Sequence, residues 1–467
     1  MHSSYRFTVE SAVFDEPNLV SAAGLVPVLE LAEQTGLSEL IGEHVDLPST
    51  RVKSGAVNPV GKLTSIIAAM ACGADCIDDA GVLRAGGTPR VFEEVYAPST
   101  LGIFLREFTF GHANQLAAVA RAHLVALAKR VPLLPGIEQR VFLDIDSLLR
   151  PVYGHAKQGA SFGHAKIASR ALLRLGLSPQ ITTISTATSP PVIAEAQLRS
   201  GKAASGRAAA KQVKQAITTA RACGPCGTIM LRGDSAFGTK KVITTCVGEG
   251  VEFSVSIRRT TPISAAIASI DETAYTPVHY PGAVVDPDTA ALISDAEVAE
   301  IPYTLQLGRG RSVTARLVVR RVKDARYPDA LFPVWRYHPF VTNSDLPVAE
   351  ADITHRRHAI IETTFADLID GPLAHIPSGL FSANCAWLAC AVITHNLLRA
   401  VGTLAGGAHT VARGATLRRD LVNIPARFAA PARKPMLHLP IHWPRQLQWK
   451  TLWNNVIGYP TAQPRAA

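Results

Sequence analysis

The longest apolar run in the chain, Leu380 to Leu404, is long enough to cross a bilayer, and its interruptions decide what kind of protein this can be. Asn384, His395, Asn396 and Arg399 fall inside it. Amide, imidazole and guanidinium groups facing lipid are costly, so the run predicts a helix buried in protein, and no membrane association is expected. A helix apolar on nearly all sides needs protein around it. The chain can supply that protein: it has 467 residues, 47 % of them hydrophobic, enough for two to four structural units. Its formal net charge of +10 favours a polyanionic partner, nucleic acid first among them. Met1 to Glu10 carries charges and no apolar stretch, which predicts no secretory leader. Seven cysteines, scattered and odd in number, predict a reducing cytoplasm and no disulfide framework.

Hydrophobic spacing divides the chain further. Apolar residues recur at helical intervals in Leu25–Leu40, Leu63–Cys72 and Leu116–Leu127, so residues 20–131 read as mainly helical. Pro132 to Gly136 reads as a linker. Strand patterns come next at Val141–Asp146, Ala168–Leu177 and Gln180–Ser185, then a helix at Ala203–Arg221 and a strand at Gly227–Arg232. A short helix at Lys240–Gly248 and a strand at Val251–Ile257 complete an α/β layer pattern. From Arg258 to Asn343 the chain turns β-rich, with strands expected at Tyr303–Leu307, Val313–Val322 and Leu331–Val341. Helical spacing returns at His355–Ile369 and Asn384–Leu404. The domains expected are a helical region 1–135, a core in two parts, 136–258 and 346–404, a β-rich insertion 259–345, and a basic, Trp-containing arm 405–467.

Three acidic residues stand out by context. Asp146 ends the strand Val141-Phe-Leu-Asp-Ile-Asp146, with Asp144 two residues earlier and therefore on the same face. Asp234 comes directly after a second apolar strand, and Glu362 lies on the helix His355–Ile369. Carboxylates on separate rigid elements suit two hard cations about 4 Å apart, the arrangement that phosphodiester chemistry uses. On spacing alone, an aspartate at a strand end is more often a turn or cap residue than a metal ligand, and the catalytic reading stands second.

The local motifs carry more. Leu143-Asp-Ile-Asp-Ser147 with Tyr153-Gly154 and Gly159-Ala-Ser-Phe-Gly163 resembles the first catalytic segment of insertion-sequence DDE transposases. Leu231-Arg-Gly-Asp-Ser-Ala-Phe-Gly238 resembles their second, and His355-Arg-Arg-His-Ala-Ile-Ile-Glu-Thr-Thr-Phe-Ala-Asp-Leu368 their third. Pro377-Ser-Gly, Asn384-Cys-Ala-Trp-Leu and His395-Asn-Leu-Leu-Arg399 resemble the segments downstream of the glutamate in those enzymes. Ala97-Pro-Ser-Thr-Leu-Gly102 and Phe108-Thr-Phe-Gly-His112 extend the likeness over nearly the whole chain. Within these enzymes the chain is most similar to insertion-sequence group thirteen-eighty. The resemblance implies an α/β fold: a ribonuclease-H-like catalytic core with a β-stranded insertion and an α-helical N-terminal DNA-binding region. It implies metal-dependent cutting at inverted-repeat DNA ends, strand transfer into target DNA, a homodimer that pairs two ends, and a cytoplasmic, nucleoid-associated protein. It gives Asp146, Asp234 and Glu362 as catalytic residues holding two Mg²⁺ ions, with Mn²⁺ as a substitute. Asp146 is preferred to Asp144 because a small hydroxyl residue, Ser147, comes directly after it.

One departure stands beside the likeness. Related enzymes carry Tyr, Arg and Lys seven before, four before and seven after the glutamate; here those positions are His355, His358 and Ile369. The histidines are read as phosphate donors, together with Arg356 and Arg357. Trp335 is read as a candidate for stacking on a flipped base, against the alternative of a β-layer core tryptophan. Cys223-Gly-Pro-Cys226 reads as a turn, because it closes a helix instead of opening one. Two rival functions remain: a decayed, non-catalytic protein that binds transposon ends, and a ribonuclease-H-like nuclease without strand transfer.

Overall fold

The structure is a computed structural model describing residues 9–48, 55–154, 156–167, 170–280, 296–308, 310–324, 326–327 and 331–458. Ala168 and Ser169, at the start of one expected strand, and the tail beyond Gly458 lie outside the described residues.

A short strand β1 (Leu19–Val20) leads into six helices: α1 (Leu25–Gln34), α2 (Leu37–His44), α3 (Pro59–Cys72), α4 (Thr88–Val91), α5 (Pro98–Arg106) and α6 (Phe110–Arg130). Two of the sequence motifs are helix starts. Pro98 occupies the first turn of α5, where no amide partner is lost. At α6 the Thr109 hydroxyl accepts the His112 amide while His112 Nδ1 accepts the Thr109 amide, a reciprocal cap.

Strands β2 (Arg140–Ser147), β3 (Arg150–Pro151), β4 (Ser161–Ile167), β5 (Arg170–Ser185) and β6 (Val192–Ser200) come next. They are followed by α7 (Ala209–Cys223), β7 (Thr228–Gly233), α8 (Lys240–Gly248) and β8 (Glu252–Ser256). After α9 (Thr261–Ala268) come β9 (Thr276–Pro277), β10 (Ala296–Gly308), β11 (Arg311–Lys323) and β12 (Trp335–Thr342). The chain then runs through α10 (Val348–Arg356), α11 (Ile361–Ile369), α12 (Phe381–Ala405) and α13 (Gly414–Leu417) to β13 (Ala426–Ala429), β14 (Met436–His438) and α14 (Gln446–Ile457).

Among the described residues eleven strands form one sheet, ordered β3-β5-β2-β7-β8-β12-β11-β10-β9, with β4 and β6 also paired to β5. The middle strands β2, β7 and β8 are parallel, and β5 is antiparallel to β2. The β-rich segment 259–345 does not stand apart from this sheet. Its β12 pairs antiparallel with β8, so the inserted strands extend the same layer.

The long apolar run forms α12, and the window of it apolar enough to span a bilayer is 94 % buried. It packs against α1, α3, α5, α6, α14 and β6. The polar residues that argued against lipid have internal partners. Asn396 accepts the Ile193 amide at 2.8 Å and donates to the Ile193 carbonyl at 2.9 Å, satisfying a backbone pair on β6. Arg399 donates to the carbonyls of Thr410 and Ala412.

Residues 405–458 are built into the same core. Trp449 is buried and stacks on Trp453, and α14 packs on α12 and α1. A three-stranded sheet, β1-β13-β14, joins the two ends of the chain. Gly24 permits that junction: a Cβ there would lie 1.7 Å from the Leu421 carbonyl oxygen.

Candidate functional site

The site begins with two parallel strands. In the β2–β7 register Asp144 lies beside Arg232 and Ile145 beside Gly233, so Asp146 and Asp234 are the next residues out at the carboxyl ends of neighbouring strands. Neighbouring strands are about 4.8 Å apart. Asp146 is half-buried and accepts the Ser147 amide at 2.6 Å. Asp234 is exposed.

The motif around Asp234 has a mechanical reading. Arg232 is buried and its guanidinium grips both oxygens of buried Asp144, at 2.7 and 2.8 Å, while stacking 4.0 Å from the Phe142 ring centre. Gly233 passes close to Ile145, where a Cβ would sit 3.1 Å from that side chain. Asp234 turns the chain by accepting the Ala236 amide at 2.8 Å, and Phe237 plugs into the core. Arg232 therefore fixes the strand pair from inside, and Asp234 is delivered to the surface beyond it.

That pairing separates the two aspartates of β2. Asp144 is committed to Arg232, whose attraction opposes the burial that pushes the Asp144 carboxyl pKa upward. Asp146 is the one placed beside Asp234. Sequence alone puts both on the same face; Arg232, buried as it is, cannot present itself to a phosphate. No signal in the sequence reveals the pair, because its partners are joined only by register across 88 positions.

Glu362 is exposed in the first turn of α11, a helix that packs against β2. Two anchors hold the helical run above the sheet. Arg232 donates its third hydrogen bond to the Thr354 carbonyl at 2.9 Å. His355 inserts between the serines of β8, its Nδ1 3.0 Å from Ser254 Oγ and its Nε2 3.0 Å from Ser256 Oγ, with its ring stacked 4.2 Å from Phe340. Burial, followed by repulsion from His358, drives the His355 pKa down to about 3. His355 is thus a neutral wedge inside the fold, with no surface to offer DNA. His358 is half-buried with Nδ1 2.5 Å from the His355 carbonyl oxygen. Arg356 and Arg357 are exposed. Ile369 is partly buried and packs on the core, which explains its apolar character.

Trp335 is not brought to the acids. Pairing runs Asp144–Arg232–Ser254–Thr342 across the sheet, so even-numbered residues of β12 share the acid face and Trp335 lies on the other. There the Arg321 guanidinium sits 4.3 Å from its ring centre and 3.8 Å from that of Tyr275.

Three carboxylates supply only oxygen donors, the set that Mg²⁺ prefers, and all three are at least partly exposed, so the residues present fit such ions. Among the described residues one trio of His, Cys, Asp or Glu side chains has ligand atoms all within 4.8 Å, and it is a different one: Asp75, Cys76 and Asp79. Asp79 there accepts the amides of Asp75 and Cys76 at 3.1 and 3.2 Å, at the start of a 3₁₀ turn, and the turn accounts for the cluster.

Residues 8–457 match the family described as Transposase DDE domain group 1. The chain belongs to the DDE transposases. No curated protein matches it. For a DDE transposase the family match covers the helical layer, the sheet with its inserted strands, and the C-terminal elements together, in one large mixed α/β fold.

Proposed function

We propose that this transposase cuts DNA at the inverted-repeat ends of its element and transfers the freed strand to target DNA, using Asp146, Asp234 and Glu362. The family match carries the reading, and the adjacent strand-end positions of Asp146 and Asp234 support it. The strand order β6-β5-β2-β7-β8, three antiparallel strands followed by two parallel ones, supports a ribonuclease-H-like core. Two Mg²⁺ ions bound to these carboxylates would supply activation of the attacking oxygen and charge stabilisation at the leaving oxygen. Mn²⁺ has the same preference for oxygen donors.

The chain's own part is positional. Asp146 and Asp234 are held by a sheet that does not need to move, and Glu362 lies in the first turn of α11, one 3₁₀ turn beyond the α10 residues that Arg232 and His355 anchor. Arg356 and Arg357, just upstream of Glu362, and Lys240 and Lys241, which open α8 beyond Asp234, are exposed cations placed to meet phosphates. The helical N-terminal layer is assigned to recognition of the repeat, a dimer to the pairing of two ends, and the group-thirteen-eighty insertion sequences to its ancestry.

Asp234→Ala is expected to abolish Mg²⁺-dependent cleavage of end-containing DNA while leaving end binding nearly intact. Retained cleavage would sink the assignment. Pre-cut ends offered with target DNA distinguish a transposase, which joins them, from a nuclease, which does not.

A further inference from the structure

The sheet face that carries the acids continues into the inserted strands. One step outward from the Arg232 row, Ser256 pairs with Phe340 and Phe340 with Val318. The next pair on the same face is His338 with Arg320, and the one after it includes Arg336, opposite Val322. Residues two apart on a strand project to the same side, so these three share the side of Asp146 and Asp234. Two strand spacings, about 10 Å, separate β7 from β12. Arg356, in the last turn of α10, reaches the same place, its guanidinium 3.9 Å from the Tyr280 ring centre.

The charges gathered there are poorly compensated. Burial, then Arg320, Arg336 and Arg356, hold the His338 pKa below its ordinary value. Asp352 lies near Arg320 and Arg356 but is buried, and it already accepts the Tyr280 hydroxyl at 2.7 Å. Arg336 has Asp324 at 3.9 Å, and that carboxylate is held by Arg326. Among the described residues Arg320 and Arg356 form no ion pair. Their neighbours on β11 behave otherwise: Arg316 is paired with Glu300, and Arg321, on the far face, with Glu272 and Glu297. Arg316 shares the face of Arg320 but lies two rows away, opposite Thr342, and its charge is met by Glu300.

We propose that Arg320, Arg336, His338 and Arg356 form a phosphate-binding surface for the DNA end being cut, on the sheet face that carries the acids. This rests on the transposase activity proposed for Asp146, Asp234 and Glu362. A polyanion would relieve the crowding of three guanidiniums around His338.

The test is binding of an end-containing duplex by fluorescence anisotropy, in chelator without Mg²⁺, across a salt series. Arg320→Gln and Arg336→Gln are each expected to reduce the slope of log K against log salt by about one, and the pair to weaken binding at least about tenfold at 0.15 M salt. Arg356→Gln, on an exposed helix position, should act alike. Lys214→Gln, a charge-matched change on α7 where the lysine pairs with Glu249, should change neither. A folded Arg320→Gln/Arg336→Gln protein with wild-type slope and affinity overturns the surface. Wild-type protein that binds ends but never cleaves them with Mg²⁺ overturns the transposase activity and leaves the surface standing; wild-type protein that binds no DNA overturns both.

Discussion

At the scale of single residues, the contrast between Asp144 and Asp146 is the sharpest available. They are two positions apart on one strand, and the structure gives them different surroundings: Asp144 buried against Arg232, Asp146 half-buried beside Asp234. Asp144→Asn would leave Arg232 charged and buried without its partner, so a loss of about 3–5 kcal/mol is expected in urea denaturation. Replacing both, as Asp144→Leu with Arg232→Met, should recover much of that loss. Changing Asp146, only half-buried, to Asn should cost less stability than the same change at Asp144, and Asp146→Asn should remove metal-dependent cleavage. The opposite pattern, a stable but inactive Asp144→Asn, would transfer the ligand role to Asp144. Period-two alternation made both aspartates visible in the sequence, and the Arg-Gly-Asp-Ser-Ala-Phe context marked Asp234. What could not be read was which aspartate Arg232 holds, since that depends on the register between β2 and β7. Trp335 failed to reach the acids for a related reason. Its parity on β12 was fixed only when the pairing of β12 with β8 was known.

At the scale of elements, the helical run that presents Glu362 depends on an imidazole that must stay neutral. His355 has a folded pKa of about 3, and His123 and His395 are also buried, at about 4. All three lie below the ordinary value of 6.5, so the unfolded chain takes up these protons first. Their contribution is therefore complete above about pH 6.5 and is lost as pH falls from there toward 4 and 3. Each can add up to ~1.4 kcal/mol per pH unit to that slope. Stability measured by urea denaturation from pH 7 to pH 5 should fall accordingly, and His355→Gln should make the decline shallower. An unchanged slope in that variant would mean that the imidazole is not held neutral. Periodicity in the sequence shows the glutamate helix and α12, but it leaves His355 looking like a phosphate donor. A histidine in a basic motif looks the same whether it faces solvent or two serines.

At the scale of the whole molecule, one hydrophobic core runs from Ala22 to Val456. The helical layer, the sheet and the C-terminal elements are packed together through α12. Truncation after Arg445 would remove Trp449, Leu452 and Val456 from that core, each buried. A loss of about 5 kcal/mol is expected from burial of three such side chains, read as a lower urea midpoint for the entire chain. If only the tail were lost and the remaining transition kept its midpoint, the core would have to be divided into separate units. The alternation of helical and strand patterns was legible along the chain. The joining of its ends was not, because the tail's Pro, Arg and Trp content also describes a loose arm.

The pairing of β12 with β8 also bears on how such a protein can be trimmed. Deleting residues 259–345 would take away the neighbour of β8 and strip its hydrogen-bonding edge bare. Phe253 and Val255 on that strand are fully buried in the intact protein. An open apolar edge in the middle of a sheet is a template for strands from other molecules. The shortened protein should therefore assemble into β-rich aggregates, detectable by light scattering and dye binding, rather than survive as a minimal nuclease. In the intact chain the segment that looks like an accessory also covers the edge of β8.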